Sequence, residues 1–216
     1  MRSFLVFCFC VVVAAFVGAC AAADVPTPDD GAAHLGLESG TTFTYNVSDG
    51  VTETHEVKAS GVLFAGVSVD VLAKQNGFAA DARTMSVGVD VTQASLLRFF
   101  DCIVHCGTLD QPIPFLNWPL TEGDVVTGEA TVTVIGSNDG TDGVHNERHS
   151  TTVGPQSTVT VPAGDFDAFS ISWTRTVIES DGSEETELTL LSWAPDVGIV
   201  KHEAADGTVL ELSTKP

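Results

Sequence analysis

The sequence predicts an all-β, mainly antiparallel domain, and three features predict it. Beyond residue 36 the chain is rich in Val, Thr and Gly, and its apolar residues alternate with polar ones instead of recurring at helical spacing. Asp-Gly and Asn-Gly pairs separate these runs; they supply the positive φ of tight hairpin turns, which joins neighbouring strands as hairpins. A composition of 44% hydrophobic and 18% charged residues over 216 positions is that of a folded chain, long enough for one all-β domain or two small ones.

The N-terminal segment reads differently. Arg2 is the single cation ahead of an uninterrupted apolar run, Phe4 to Val17, that ends in small residues. This is the pattern of a secretory signal peptide, here residues 1–19, and the run falls short of the roughly 20 apolar residues of a bilayer crossing. A buried N-terminal strand or helix would instead need a core element with no polar face. Val17-Gly18-Ala19-Cys20 resembles the lipobox of bacterial lipoproteins, an aliphatic residue and two small ones before cysteine. The resemblance implies cleavage before Cys20, a thioether-linked diacylglycerol on its sulfur and an acylated amine. Several acyl chains, each contributing about 0.8 kcal/mol per buried methylene, hold a protein stably on a membrane. Ala21, in place of an acidic residue, implies sorting to the outer membrane. The alternative is ordinary secretion, with cleavage near Ala19 to Ala23 and a leftover thiol.

Residues 20–36 carry the lipidated cysteine and then two prolines, three Asp and many alanines without a period, the composition of a solvated tether. The β domain spans 37–216. Phe43, Tyr45 and Val47 share one strand face, as do Val67, Val69 and Val71, then Met85, Val87, Val89 and Val91. Val132 and Val134 follow, then Phe169, Ile171 and Trp173, and finally Leu210 and Leu212. Turn signals fall between them at Asp49-Gly50, Asn76-Gly77, Asp139-Gly140, Asp142-Gly143, Asp181-Gly182 and Asp206-Gly207. In Ala94–Val104, Leu96, Phe100 and Ile103 fit one helix face, yet the same run fits a fully buried strand. Gln111–Leu120 has three prolines, which excludes a central strand or helix and suggests a crossing whose aromatic residues cap one end of the core. Leu37–Thr44 and Leu120–Thr127 share Leu, Gly and Thr in register, an echo that implies two meander-like halves packed into one sheet system.

Cys8 and Cys10 leave with the signal peptide, so Cys102 and Cys106 remain as an even pair in an oxidising compartment. Four residues apart on an extended strand, their Cα atoms would lie about 13 Å apart, so a disulfide requires a bend between 101 and 107. With His105 between them the pair also suggests metal, but structural zinc takes four ligands and no second ligand pair follows. The disulfide is the expectation, with no metal and no cofactor.

The chain holds 9 Lys+Arg against 29 Asp+Glu, a formal net charge of −20. A surface this acidic repels phosphate, which excludes nucleic acid as a partner and excludes electrostatic capture by anionic headgroups. Membrane attachment must therefore be apolar, and the lipid on Cys20 meets that need.

The C-terminal third carries Val161-Pro162-Ala163-Gly164-Asp165-Phe166-Asp167-Ala168-Phe169, then Trp193-Ala194-Pro195-Asp196-Val197-Gly198-Ile199-Val200-Lys201. This resembles the PAG-x-F-D-A … W-x-AP-x-VG-x-V-K pattern of an uncharacterised bacterial envelope lipoprotein family, over about residues 157–213. The sequence departs from it with Phe43 and Val126 where Trp is common and Asp196 where Gly is common. The resemblance implies an exported or lipidated protein with the strongly curved sheet or half-barrel of periplasmic lipoprotein carriers. It brings no established catalytic residues. Read physically, Pro162 and Gly164 make a tight turn, Pro195 and Gly198 shape the turn before strand Ile199–His202, and Trp173 and Trp193 supply apolar area across paired strands.

No HExxH, G-x-S-x-G or P-loop occurs, so the expectation is no enzyme. His145 and His149 stand four apart, which would pair them on a helix as metal ligands, but Val144–Val153 ends in Thr-Thr-Val, a strand context that separates them. The oxygen-rich loop Gly136–Gly143 could hold calcium, yet Glu147 stands too early for the distal ligand of an EF-hand, and Asx-Gly chemistry favours a hairpin turn. Asn46-Val47-Ser48 matches a glycosylation acceptor and is incidental in a bacterial lipoprotein. The expected role is a lipid-anchored, non-catalytic protein of the bacterial envelope. It binds either an apolar or lipid-like ligand in the sheet's concavity, at residues the sequence does not identify, or another envelope protein as a scaffold or interaction module. The first role needs a contiguous apolar concave surface, and the second an exposed apolar or acidic patch.

Overall fold

The structure, a computed structural model, describes residues 36–61, 67–75, 84–90, 92–101, 105–135 and 143–214. The signal peptide, Cys20, the tether as far as residue 35 and Cys102 lie outside the described residues, as do Asn76-Gly77 and Asp139-Gly140, while Gly36, expected as the last tether residue, is buried. Thirteen strands follow one another: β1 Thr42–Val47, β2 Thr52–Ala59, β3 Val67–Gln75, β4 Thr84–Val89, β5 Gln93–Asp101, β6 His105–Leu109 and β7 Ile113–Asn117. The second run is β8 Val125–Val134, β9 Gly143–Val161, β10 Gly164–Ile178, β11 Glu184–Ala194, β12 Gly198–Glu203 and β13 Val209–Thr214. No helix occurs among the described residues.

All thirteen belong to one sheet in the order β4-β3-β2-β1-β13-β12-β11-β10-β9-β8-β6-β5-β7. The ladders are antiparallel, as the hairpin signals predict. The sheet is curved strongly enough for β4 to pair also with β5. This return passes through only two residue pairs between β5 and β6 and three between β6 and β8. The result is a half-barrel and not a regularly closed barrel.

Three Asp-Gly hairpin turns are built alike. Gly50, Gly182 and Gly207 take φ of 89°, 84° and 87°. In each, the backbone N–H after the glycine donates to the preceding Asp carboxylate: Val51 to Asp49, Ser183 to Asp181 and Thr208 to Asp206 at 3.0, 2.9 and 2.8 Å. In the β11–β12 turn Asp196 has φ 62°, the left-handed region that favours glycine. The two echoing segments also share their hydrogen bonds. Gly40 and Gly123, with φ of 95° and 91°, donate to the carbonyls of Val57 and Val153, whose own N–H groups return to Thr41 and Asp124.

Alternation sets the burial. On β1 the buried positions are Phe43, Tyr45 and Val47, and on β8 they are Val126, Ala130, Val132 and Val134. The ambiguous run after Ala94 is strand β5. Consecutive Ala94, Ser95 and Leu96 are each 1% exposed, so both of its faces are covered there and no period of two is visible. The expectation for Gln111–Leu120 needs refinement: its centre is strand β7, but a terminal one that pairs only with β5. This suits Pro114, which has no N–H to give a second neighbour. Trp173 and Trp193 stand on paired strands without facing each other: Trp193 opposes Phe169 and Trp173 opposes Thr189.

β7 also fills the interior. Phe115 packs edge-on against Trp173 with centroids 5.3 Å apart, and Pro114 and Ile113 lie against the backbone of Gly128 on β8. A Cβ on Gly128 would stand 2.8 Å from Pro114 Cδ and 3.1 Å from Ile113 Cγ2. Neither ring nor branched methyl can swing aside, so Gly128→Ala is expected to cost about 1–3 kcal/mol through overpacking. Chemical denaturation would read this loss, with an unchanged midpoint contradicting the close approach of β7.

Candidate functional site

The longest strand, β9, points His145, Glu147, His149 and Thr151 to the inner face. Across the ladder, β8 offers Val132, Ala130, Gly128 and Val126 at the same four levels. The small Ala130 and Gly128 leave room for the glutamate and imidazole beside them. On the other side, β10 sets Val177, Arg175 and Trp173 opposite Glu147, His149 and Thr151.

These residues form one hydrogen-bonded network. Glu147, 3% exposed, holds His145 Nε2 at 3.0 Å on Oε1 and His149 Nε2 at 2.8 Å on Oε2. Arg175 Nη2 donates to the same Oε1, and its Nη1 donates to Glu187 at 3.3 Å. Trp173 Nε1 lies 3.0 Å from His149 Nδ1. An indole N–H only donates, so Nδ1 is the acceptor and the imidazole proton sits on Nε2, facing Glu147. Both ring nitrogens of His149 are thereby committed to partners within the protein. Burial pushes the Glu147 carboxyl up, but hydrogen bonds from His149, Arg175 and His145 together with the Arg175 charge outweigh it and hold the group well below the usual carboxylate range.

The expectation for His145 and His149 therefore needs correction. The strand does keep them four residues apart, but a period of two puts them on one face, joined through Glu147. Their partner is a carboxylate with an arginine on it, which disfavours a cation. Among the described residues no group of three or more His, Cys, Asp or Glu is placed to hold a metal. Cys106 stands on β6 opposite Phe100, while Cys20 and Cys102, the expected lipidation site and disulfide partner, lie outside the described residues.

A second cluster lines the inner side of β1 and β2. Tyr45 donates to the Ile199 carbonyl at 2.9 Å, its ring lies 4.8 Å from that of His55, and His55 Nε2 meets Glu53 at 2.6 Å. Burial, reinforced by the Glu53 charge, raises the Tyr45 phenol well above its ordinary value. Like the β9 network, this cluster ties neighbouring strands together.

The outer face of β8–β11 differs in character. Five large apolar side chains are exposed, Val125 at 59%, Ile135 at 66%, Val144 at 57%, Leu188 at 49% and Leu190 at 42%. Register places Val125, Val144, Leu188 and Leu190 on this one face, and Ile135 directly follows the last residue of β8. Val125, Thr152, Ser172 and Leu190 form one row across the strands, and Thr127, Ser150, Thr174 and Leu188 form the next. Between the apolar corners lie two adjoining shallow clefts of about 460 and 250 Å³, which share Glu129 and Arg148. Arg148 bridges to Glu184 at 2.7 Å.

No family profile and no curated protein matches the chain. Two solved structures do. One is a Bacteroides fragilis protein with a YmcC-like fold, provisionally described as exported, and the other a Parabacteroides distasonis protein provisionally described as a lipoprotein. Each is 13% identical, covering 85% of this chain and 98% of its own, with TM-scores of 0.55 and 0.56. At this identity the likeness is one of fold: the chain shares a YmcC-like, single-sheet β architecture.

Breaking the network should destabilise the domain. Glu147→Gln leaves Arg175 without its buried counter-charge and is expected to cost about 3 kcal/mol near neutral pH. Because the folded-state pKa of Glu147 is depressed, its stabilisation is complete above the unfolded value of about 4.5 and is lost as pH falls below it. Unfolding free energies measured from pH 6 to pH 3 should therefore fall less in Glu147→Gln than in the parent chain. Parallel curves would contradict the ion-paired assignment.

Proposed function

We propose that the chain is a lipid-anchored, non-catalytic protein of the bacterial envelope that acts as an interaction module and not as a carrier of a lipid-like ligand. The lipobox at Cys20 supports the address, in line with fold relatives described as exported or as a lipoprotein. The observation that carries the choice between module and carrier is the packing of the inner face. There Phe115, Trp118, Ile113 and Leu116 join Phe43, Tyr45, Leu96, Ile171, Leu191 and Leu212 in one buried cluster. A carrier needs an open apolar concavity. The two clefts described above instead open on the outer face among polar side chains.

Non-catalysis rests on the same chemistry. The most buried carboxylate among the described residues, Glu147, is spent on two imidazoles and an arginine, and neither imidazole is bonded to a hydroxyl or thiol among the described residues. Outer-membrane sorting, suggested by Ala21, completes the proposal.

Two measurements test it. Membrane fractionation of cells producing the full chain should find the parent with the membranes and Cys20→Ala in the soluble fraction, and equal partitioning would refute the anchor. Mass spectrometry of solvent extracts from the purified soluble domain should find no stoichiometric acyl species; a single co-purifying lipid would favour the carrier.

A further inference from the structure

The outer face of β8–β11 has more apolar exposure than a solvated sheet requires, and its surroundings are charged in one sense. On the outward side of β8–β13 stand six carboxylates, Glu129, Asp165, Asp167, Glu184, Glu203 and Glu211, by register and alternation. Only two cations share that side, Arg148 and Lys201. Arg148 is paired to Glu184, and Lys201 lies 2.8 Å from Glu203 and 3.9 Å from Glu211. The excess carboxylate charge has no counterpart on this face among the described residues.

From strand spacing and rise, the part of this face between Val125, Val144, Leu188 and Leu190 measures on the order of 500 Å². That is the scale of one side of a specific protein interface, about 800 Å² per partner. β11 is paired to β10 and β12 and β8 to β9, while β6 covers only Val132–Val134 of the other edge of β8. A partner that uses the aliphatic corners lies on the face and buries side chains. Aliphatic contacts at the corners would supply burial energy, while the carboxylates would select charge and orientation. An anionic lipid surface meets repulsion here, and so does a second copy of the chain presenting the same carboxylates.

We infer that the outer face of β8–β11 is a docking surface for a basic protein segment in which lysine or arginine accompanies aliphatic side chains. This deepens the interaction reading above and rests on it. The leucines anchor the segment, and Glu129 and Glu184, on either side of Arg148, receive its cations at the clefts.

The test uses the full, anchored chain in its native cells. A photoreactive phenylalanine analogue replaces Leu188 or Leu190 in turn, with Lys58 on β2 as the control position. Adducts are mapped to the residue by mass spectrometry. The expected result is that both leucine positions, and not position 58, join one segment of one protein that carries lysine or arginine beside aliphatic residues. Its yield should fall roughly tenfold in Glu129→Lys/Glu184→Lys, the consequence of losing about 1.4 kcal/mol of binding. No adduct, adducts to lipid, to an acidic segment or to a second copy, or yields indifferent to the charge reversal would each overturn the inference. Purified Leu188→Ser/Leu190→Ser should keep the parent thermal midpoint; a large drop would mean that the leucines are structural and would overturn it as well. Fractionation of the same cells separates the two levels: a membrane-bound chain with no specific adduct sinks the docking surface alone, whereas a soluble chain sinks the envelope reading beneath it.

Discussion

The structure depends on one geometric constraint: a sheet curved this strongly has a single interior, and β7 occupies it. Every strand contributes alternate side chains to that interior, so its volume decides which residues each position can hold. Gly128 is glycine because the Pro114 ring and an Ile113 methyl lie directly over it. Phe115 reaches Trp173, which in turn donates to His149, so the apolar plug and the polar network share a boundary at the indole. Removing β7 would open the concavity that a carrier needs. With β7 in place, the long hairpin of β9 and β10 turns its remaining chemical variety outward.

The polar network solves a problem that this hairpin creates. β9 and β10 run for 19 and 15 residues, and beyond their neighbour β11 the six-residue β12 pairs only with Leu190–Ala194 of that strand. Glu147 with two imidazoles and Arg175 joins β9 to β10, and Glu187 extends the connection to β11. A buried ion pair of this kind adds little net stability over an apolar pair, but it penalises any register other than the one that matches all donors and acceptors. A slip by one residue would turn every member outward.

Much of the fold was legible because most strands have one dry and one wet face. β1, β8 and β13 announce themselves through Phe43-x-Tyr45-x-Val47, Val132-x-Val134 and Leu210-x-Leu212, and the Asp-Gly turns between strands carry their own conformational reason. β5 was not legible, since Ala94, Ser95 and Leu96 are all buried and alternation has nothing to report. The inner network was missed for a different reason. The spacing of His145 and His149 matches a helical metal template, whereas the strand's own period sets His145, Glu147 and His149 in line; Arg175 is visible only through the β9–β10 register. The outer apolar face was likewise readable one residue at a time. Val125, Val144, Leu188 and Leu190 fall on one face only once three ladders are known.

The claim of a filled interior is tested most directly by titrating the purified soluble domain with cis-parinaric acid, a fatty acid whose fluorescence rises on entering an apolar cavity. The account predicts weak, non-saturating enhancement that follows the exposed leucines and disappears in Leu188→Ser/Leu190→Ser. Saturable one-to-one binding that survives those substitutions and is displaced by a competing fatty acid would contradict it, because the half-barrel would then hold a ligand where β7 is placed.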